Sequence, residues 1–350
     1  MERFIDGRGL RFFGLMRKAS FVFLLSLFVI VPPVLGQISG YVSADYTKGQ
    51  EEGNYLKGAF NNPLFGMIFT GDISTGYAYG AEFRISDISD IEIDQAWVGL
   101  SPSEAFRLQG GLYLVPFGIY NRMNRPHQTV LINSPLNVVY CYPERWRDIG
   151  VMVDGTMGGF VYQGYFGNGL REGNTLRDSQ QFEDNNKNKG IGGRIGWEFS
   201  QGFQIAYSIH SGKYDDENSR RLTLHGGDVN WVTRDWQIMG EYTKAIIKNP
   251  DGYENGEAEA FFVQVVLYLG QFQPFVSYQD LTYTDVYHGT GFSALSGAGE
   301  GIFLDRNRWA LGIILMPVPD VFIKFEYDFN REKDIEIKND LWVVQAAVHF

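Results

Sequence analysis

Between Gln37 and Phe350 the chain divides, almost without gaps, into about sixteen short segments in which apolar and polar residues alternate. The clearest is Val321–Phe329. There Val321, Ile323, Phe325, Tyr327 and Phe329 share one face, and Phe322, Lys324, Glu326 and Asp328 share the other. A period of two marks a strand lying between two unlike environments. No strand satisfies its own backbone N–H and C=O groups, so a chain of such segments has to build a sheet.

The links between segments sort by parity. Those at 101–104, 200–202, 233–235, 270–271 and 316–320 are short. Those at 47–64, 116–147, 167–189, 211–220, 248–257, 282–306 and 330–340 are longer, and only 87–90 is short on that side. Short turns at one end and long loops at the other predict an all-β fold, a transmembrane antiparallel β-barrel of about 16 strands with both termini on the periplasmic side. Fourteen or eighteen strands would satisfy the same pattern. A soluble sandwich or propeller offers no reason for loops to sort in this way. Within Arg221–Trp231 the apolar face changes near Gly226-Gly227, which reads as a bulge.

The N-terminus supplies an address. Arg17 and Lys18 precede an apolar run from Phe21 to Val31, followed by Pro32, Pro33 and the small residue Gly36. This order predicts a cleaved signal peptide over residues 1–36, with Met16 as an alternative start and residues 37–350 as one barrel domain. The run is short for a spanning helix of about 20 residues, and no later apolar run approaches that length. The single cysteine, Cys141, excludes an internal disulfide framework. The formal charge is −11; the first 36 residues carry five basic and two acidic groups (+3), which leaves −14 for the remainder. That balance argues against a nucleic-acid partner.

A barrel of this size encloses a lumen, and the insertion Pro116–Arg147 is the segment best placed to fill part of it. It holds Arg122, Arg125, His127, Arg145 and Arg147 against one acid, Glu144, together with Val130, Leu131, Ile132, Leu136, Val138 and Val139. A solvated outer loop has no use for that apolar content. The insertion is therefore expected to fold inward, pack on the wall and present its charged residues at a pore constriction, where fixed arginines favour anions. The lumen wall is expected to carry Arg84, Arg107, Arg194, Glu198, Lys324 and Glu326. The expected function is a passive porin for small hydrophilic solutes, mildly anion-selective. Aromatic Tyr113, Phe262, Tyr268 and Phe322 would suit a sugar channel if they face the lumen. Ser208 and His210 share a face but lack an orienting group, so no enzyme is expected. A structural or adhesion barrel without a pore is the remaining class. The histidines do not show metal-ligand spacing, and no cofactor is implied.

Two stretches resemble known proteins. Leu341–Phe350 (LWVVQAAVHF) resembles the closing strand of bacterial outer-membrane barrels, whose C-terminal Phe is read by the barrel-assembly machinery. Gln95–Gly118 (QAWVGLSPSEAFRLQGGLYLVPFG) resembles the part of the phosphate-selective porin O and P family where a hairpin runs into "VPFG" and the third loop. This resemblance implies a sixteen-stranded homotrimer, set among outer-membrane lipid and lipopolysaccharide, whose third loop enters the lumen and whose basic residues line an anion path. By position, Arg122 and Arg125 would lie near the constriction. The chain departs from the family in being acidic where the family is densely basic, which favours a general porin over a phosphate-specific one.

Overall fold

The computed structural model describes residues 35–87, 90–173, 175–199, 202–285 and 304–350. The expected signal peptide lies outside them except for Leu35 and Gly36, which open the first strand; the interior of the expected loop 282–306 also lies outside. Among the described residues there are sixteen strands. They are β1 (Leu35–Gly49), β2 (Ala59–Ser74), β3 (Tyr77–Asp87), β4 (Asp90–Ser103), β5 (Phe106–Leu114), β6 (Arg147–Met157), β7 (Phe160–Gly167) and β8 (Gly190–Phe199) in the first half. The second half contains β9 (Phe203–Lys213), β10 (Arg221–Val232), β11 (Trp236–Ile247), β12 (Gly256–Leu267), β13 (Phe272–Asp285), β14 (Arg306–Leu315), β15 (Val321–Glu332) and β16 (Leu341–His349). Each pairs antiparallel with its sequence neighbours, and β1 pairs with β16 from Tyr41↔His349 to Gly49↔Leu341, closing the barrel.

Burial is inverted relative to a soluble sheet. Ile38, Val98, Val151, Ile191, Ile195, Ile205, Val263 and Phe325 point outward and are exposed, while Ser43, Glu82, Gln109, Arg194, Ser208, Glu241, Gln279 and Lys324 point inward and are buried. An apolar outer wall around a polar interior is stable only in a bilayer, and the closed ladder leaves no edge to be satisfied there. Aromatic side chains mark both rims. Trp197, Phe199, Phe203, Trp231 and Trp236 gather at the short-turn end, with Trp231 and Trp236 rings 4.9 Å apart. Tyr46, Phe60 and Trp342 cluster at the long-loop end. Such rings suit the two membrane–water interfaces.

Two local expectations are corrected. The first long loop is shorter than 47–64, because β2 already begins at Ala59. Pro63 sits inside that strand at a bulge: the register passes from Ser43↔Leu64 to Asp45↔Asn61, leaving Asn62 and Pro63 opposite Ala44 alone. A bulge is where a strand tolerates a residue without an N–H. Conversely, β10 carries no bulge at Gly226-Gly227; its register runs unbroken from Leu222↔Ile247 to Val232↔Gln237. The apparent change of face arises because Leu222 and Leu224 face the lumen, where they are buried against the insertion. Gly226 leaves room for Phe117, whose Cζ would lie 3.0 Å from a β-carbon there.

Candidate functional site

The insertion leaves β5 through Val115-Pro116-Phe117-Gly118. Phe117 N–H bonds to Val115 O at 2.8 Å, a three-residue turn for which the fixed φ of Pro116 is suited. Phe117 then packs on Tyr142 and Trp146, with ring centroids 5.2 and 5.8 Å away. Gly118 has φ +63, and a β-carbon there would overlap the carboxyl group of Glu241 on β11. The backbone comes this close because that carboxylate is its anchor. Ile119 N–H (2.8 Å), Tyr120 N–H (3.0 Å), Asn137 Nδ2 (2.8 Å) and the Tyr142 hydroxyl (2.8 Å) all donate to Glu241. Gly118 N–H donates to Ser208 Oγ at 3.1 Å.

From there the insertion crosses the lumen. It forms two short helices, α1 (Tyr120–Met123) and α2 (Leu136–Tyr140), which pack with Leu136, Val138, Tyr142 and Trp146 against Leu222, Leu224, Ala258, Ala260 and Phe262 of the wall. A second cluster seats Leu131 against Val266, Phe275, Ala310 and Ile314. Polar anchors fix the path. Leu136 N–H donates to Gln279 Oε1 (3.0 Å), Ile132 and Asn133 N–H to Glu326 (2.7 and 3.1 Å), and Lys324 Nζ to Thr129 O (2.7 Å). The insertion thus occupies the side of the lumen formed by β9 to β15. Each hydrogen bond to a charged group contributes about 1.5–3 kcal/mol, though not additively.

Three of its four arginines do not stand free. Arg125 forms a fork with Glu82 of β3 (2.9 and 2.7 Å), Arg145 pairs with Asp94 and Glu82, and Arg147 contacts Asp94 (3.0 Å) and Glu92 (3.2 Å) of β4. Arg84 joins the same group through Glu92 and Asp94. Paired in this way the charges neutralise one another, and the excess of four arginines over Glu144 in the insertion is largely cancelled by the wall. Arg147 is also the first residue of β6 rather than part of the loop. Glu144 binds Ser134 and Arg177. His127 is half-buried and stacks on His349 with centroids 4.3 Å apart. Burial, followed by the neighbouring positive charges of His349, Arg125 and Lys324, holds its pKa down at about 4.

On the open side lies a cavity of about 610 Å³ between the insertion and the wall of β1 to β4, β14 and β16. Its lining includes Arg84, Arg145, Arg147, Arg177 and Arg308 against Asp45, Glu92, Glu144 and Asp178, with Tyr120, Asn133 and Gln345. Of the expected wall residues, Arg84 lies on this cavity. Lys324 and Glu326 lie under the insertion, and Arg107 and Arg194 are paired with Asp154 and Asp228 on the opposite wall. Glu198 is exposed at the short-turn mouth, within reach of Gln204. Arg122 has no carboxylate or hydrogen-bond partner among the described residues. Tyr113, Phe262, Tyr268 and Phe322 do face inward, but the insertion packs over them. Ser208 and His210 do not form a pair: Ser208 receives Gly118 N–H, while His210 bonds Tyr165 at 2.9 Å. The sequence reasoning missed Asp94, Glu241 and Gln279. Their only signal is a polar residue on the inward side of an alternating strand.

No family model matches the chain. An "Uncharacterized protein" of Aquifex aeolicus (strain VF5) is 22 % identical over 341 residues, covering 83 % of this chain and 77 % of that protein. Among solved structures, the outer membrane channel DcaP of Acinetobacter baumannii superimposes with a TM-score of 0.65 at 13 % identity, over 90 % of this chain and 97 % of its own. An anion-selective porin from Comamonas acidovorans gives 0.64 at 12 % identity, over 90 % and 98 %. The likeness is one of fold: a closed antiparallel barrel of the kind these outer-membrane proteins share.

Proposed function

We propose that the protein is an outer-membrane porin that passes small hydrophilic solutes through the cavity beside the insertion. The observation that carries this reading is the lopsided lumen. The apolar face of the insertion packs on the wall of β9 to β15, its arginines reach β3 and β4, and beside them a polar opening lined by charges of both signs remains. The lining carries five arginines and four carboxylates, and three of the arginines are paired with acids of β3 and β4, so the proposed selectivity is mildly anionic rather than phosphate-specific. The signal peptide, the homotrimeric assembly and the contact with lipopolysaccharide belong to the same proposal. So does recognition of Phe350, which is exposed at the short-turn rim and exchanges backbone hydrogen bonds with Gly40.

Single-channel recording in a planar bilayer tests the reading. Steady open channels with a small anion-leaning reversal potential in a potassium chloride gradient are expected. Folded protein that never conducts would refute the porin, and strong cation selectivity would refute the role given to the arginines.

A further inference from the structure

A second segment folds over the lumen beside the insertion. The loop between β7 and β8 (168–189) leaves the wall where Asn168 and Gly169 N–H both donate to the Asp148 carboxylate at 3.0 Å, and Gly169 takes φ +77 at the bend. Leu170 and Leu176 are then buried in the same core as Val138, Tyr142 and Trp146 of the insertion. Arg171 N–H donates to Ser179 O (2.8 Å), and Gln180 Oε1 accepts Arg147 N–H (2.7 Å). These contacts seat a single helical turn, Leu176–Ser179, against the insertion. Leu176 faces the core, and the next two residues, Arg177 and Asp178, are exposed and line the cavity.

The arginines around the cavity are of two kinds. Arg84, Arg145, Arg147 and Arg308 keep only 16, 8, 9 and 15 % of their side chains exposed, and each faces a carboxylate of the wall. Arg177 is 57 % exposed, and its one partner among the described residues is Glu144 of the insertion, 3.4 Å away and 28 % exposed. An exposed ion pair of this length contributes little, so a solute can replace either partner at small cost. Asp178 stands beside it as a second carboxylate. Both acids are steadied by hydroxyls, Glu144 by Ser134 and Asp178 by Thr175 (2.8 Å).

One positive and two negative groups give this corner a net charge of −1, and that balance selects the ligand. A lone anion drawn to Arg177 would displace Glu144 and face two carboxylates. A lone cation would leave the guanidinium without a partner. A solute carrying both charges satisfies all three groups: its carboxylate takes the place of Glu144 on Arg177, and its ammonium pairs with Glu144 and Asp178.

We propose that Arg177, Glu144 and Asp178 form a recognition site on the cavity for zwitterionic solutes, of which α-amino acids are the simplest. The site names the solute class of the porin reading and rests on that reading.

The test is uptake of radiolabelled glycine into liposomes holding the barrel, beside uptake of glycolamide, its uncharged isomer. Glycine uptake should saturate, with free alanine competing far better than acetate or methylammonium at equal concentration, and glycolamide should enter without saturation. Arg177→Ala should raise the half-saturating glycine concentration about tenfold, the loss expected for one charge-assisted contact. Glu144→Gln combined with Asp178→Asn should weaken glycine uptake and let acetate compete. Arg234→Ala removes an equal charge from an exposed short turn and should change little. Equal uptake of glycine and glycolamide, competition by acetate as strong as by alanine, or equal effects of Arg177→Ala and Arg234→Ala would overturn the site. Glycolamide uptake reports the porin reading separately. The heat of glycine binding to the folded barrel in detergent tests the site even in a barrel that does not conduct, and absence of that heat overturns it.

Discussion

Replacing Gly118 with alanine isolates what holds the insertion in the lumen. A left-handed backbone costs a non-glycine residue about 1–2 kcal/mol. The added β-carbon also overlaps the Glu241 carboxylate, which four donors hold in place. Moving that carboxylate gives up at least one charged hydrogen bond, about 1.5–3 kcal/mol. The combined loss of about 2.5–5 kcal/mol falls on docking of the insertion rather than on the strand ladder. At 1.4 kcal/mol per tenfold, the insertion should open roughly 10²–10⁴ times more often. Tryptic cleavage after Arg122 and Arg145, followed by mass spectrometry on the folded barrel, reads that opening. Gly270→Ala is the comparison: Gly270 has φ +67 with nothing within 4 Å of the added carbon, and it lies in a short turn away from the insertion. Equal cleavage of the two variants would show that Glu241 is not the anchor.

Glu241→Ala should release the same segment and raise single-channel conductance; unchanged conductance would contradict the docked path. Arg147→Ala removes a positive charge from the cavity lining and leaves Asp94 with fewer partners; the reversal potential should move toward cations. The His127 pKa is held below its unfolded value, so the released insertion takes up a proton before the docked one does. Docking is therefore unaffected above about pH 6.5 and weakens as the pH falls from there toward 4. Current recordings across that range should show the change, and His127→Gln should abolish it. Cys141 is fully buried and burial raises its thiol pKa, so maleimide should label it only after unfolding.

The strands were legible because a wall between lipid and water imposes its alternation on every segment, as Val321–Phe329 shows. The alternation misled where the lumen itself is apolar. Leu222 and Leu224 face inward to meet the insertion, so β10 read as a change of face. The apolar content of Pro116–Arg147 was sufficient to indicate that it folds inward. Its charges were not legible as pairs, because Glu82 lies 43 residues from Arg125 and Asp94 lies 51 from Arg145. A sequence shows which residues are charged, whereas neutralisation depends on which strands the closed barrel brings opposite one another. Gly118 was visible in a motif, but its reason, the carboxylate of Glu241, lies 122 residues beyond the neighbouring Ile119.

The distances along the chain between the insertion and its anchors have a temporal meaning. Ser208, Glu241, Gln279, Lys324 and Glu326 follow the insertion by 90 to 195 residues. Closing loops of that span is entropically slow, and none of these contacts exists until the strand that supplies it has joined the wall. A barrel assembled from its N-terminal end would therefore carry an incompletely docked insertion until β15 arrives. Narrowing of the passage is then one of the last events of folding, completed close to the moment when β16 meets β1.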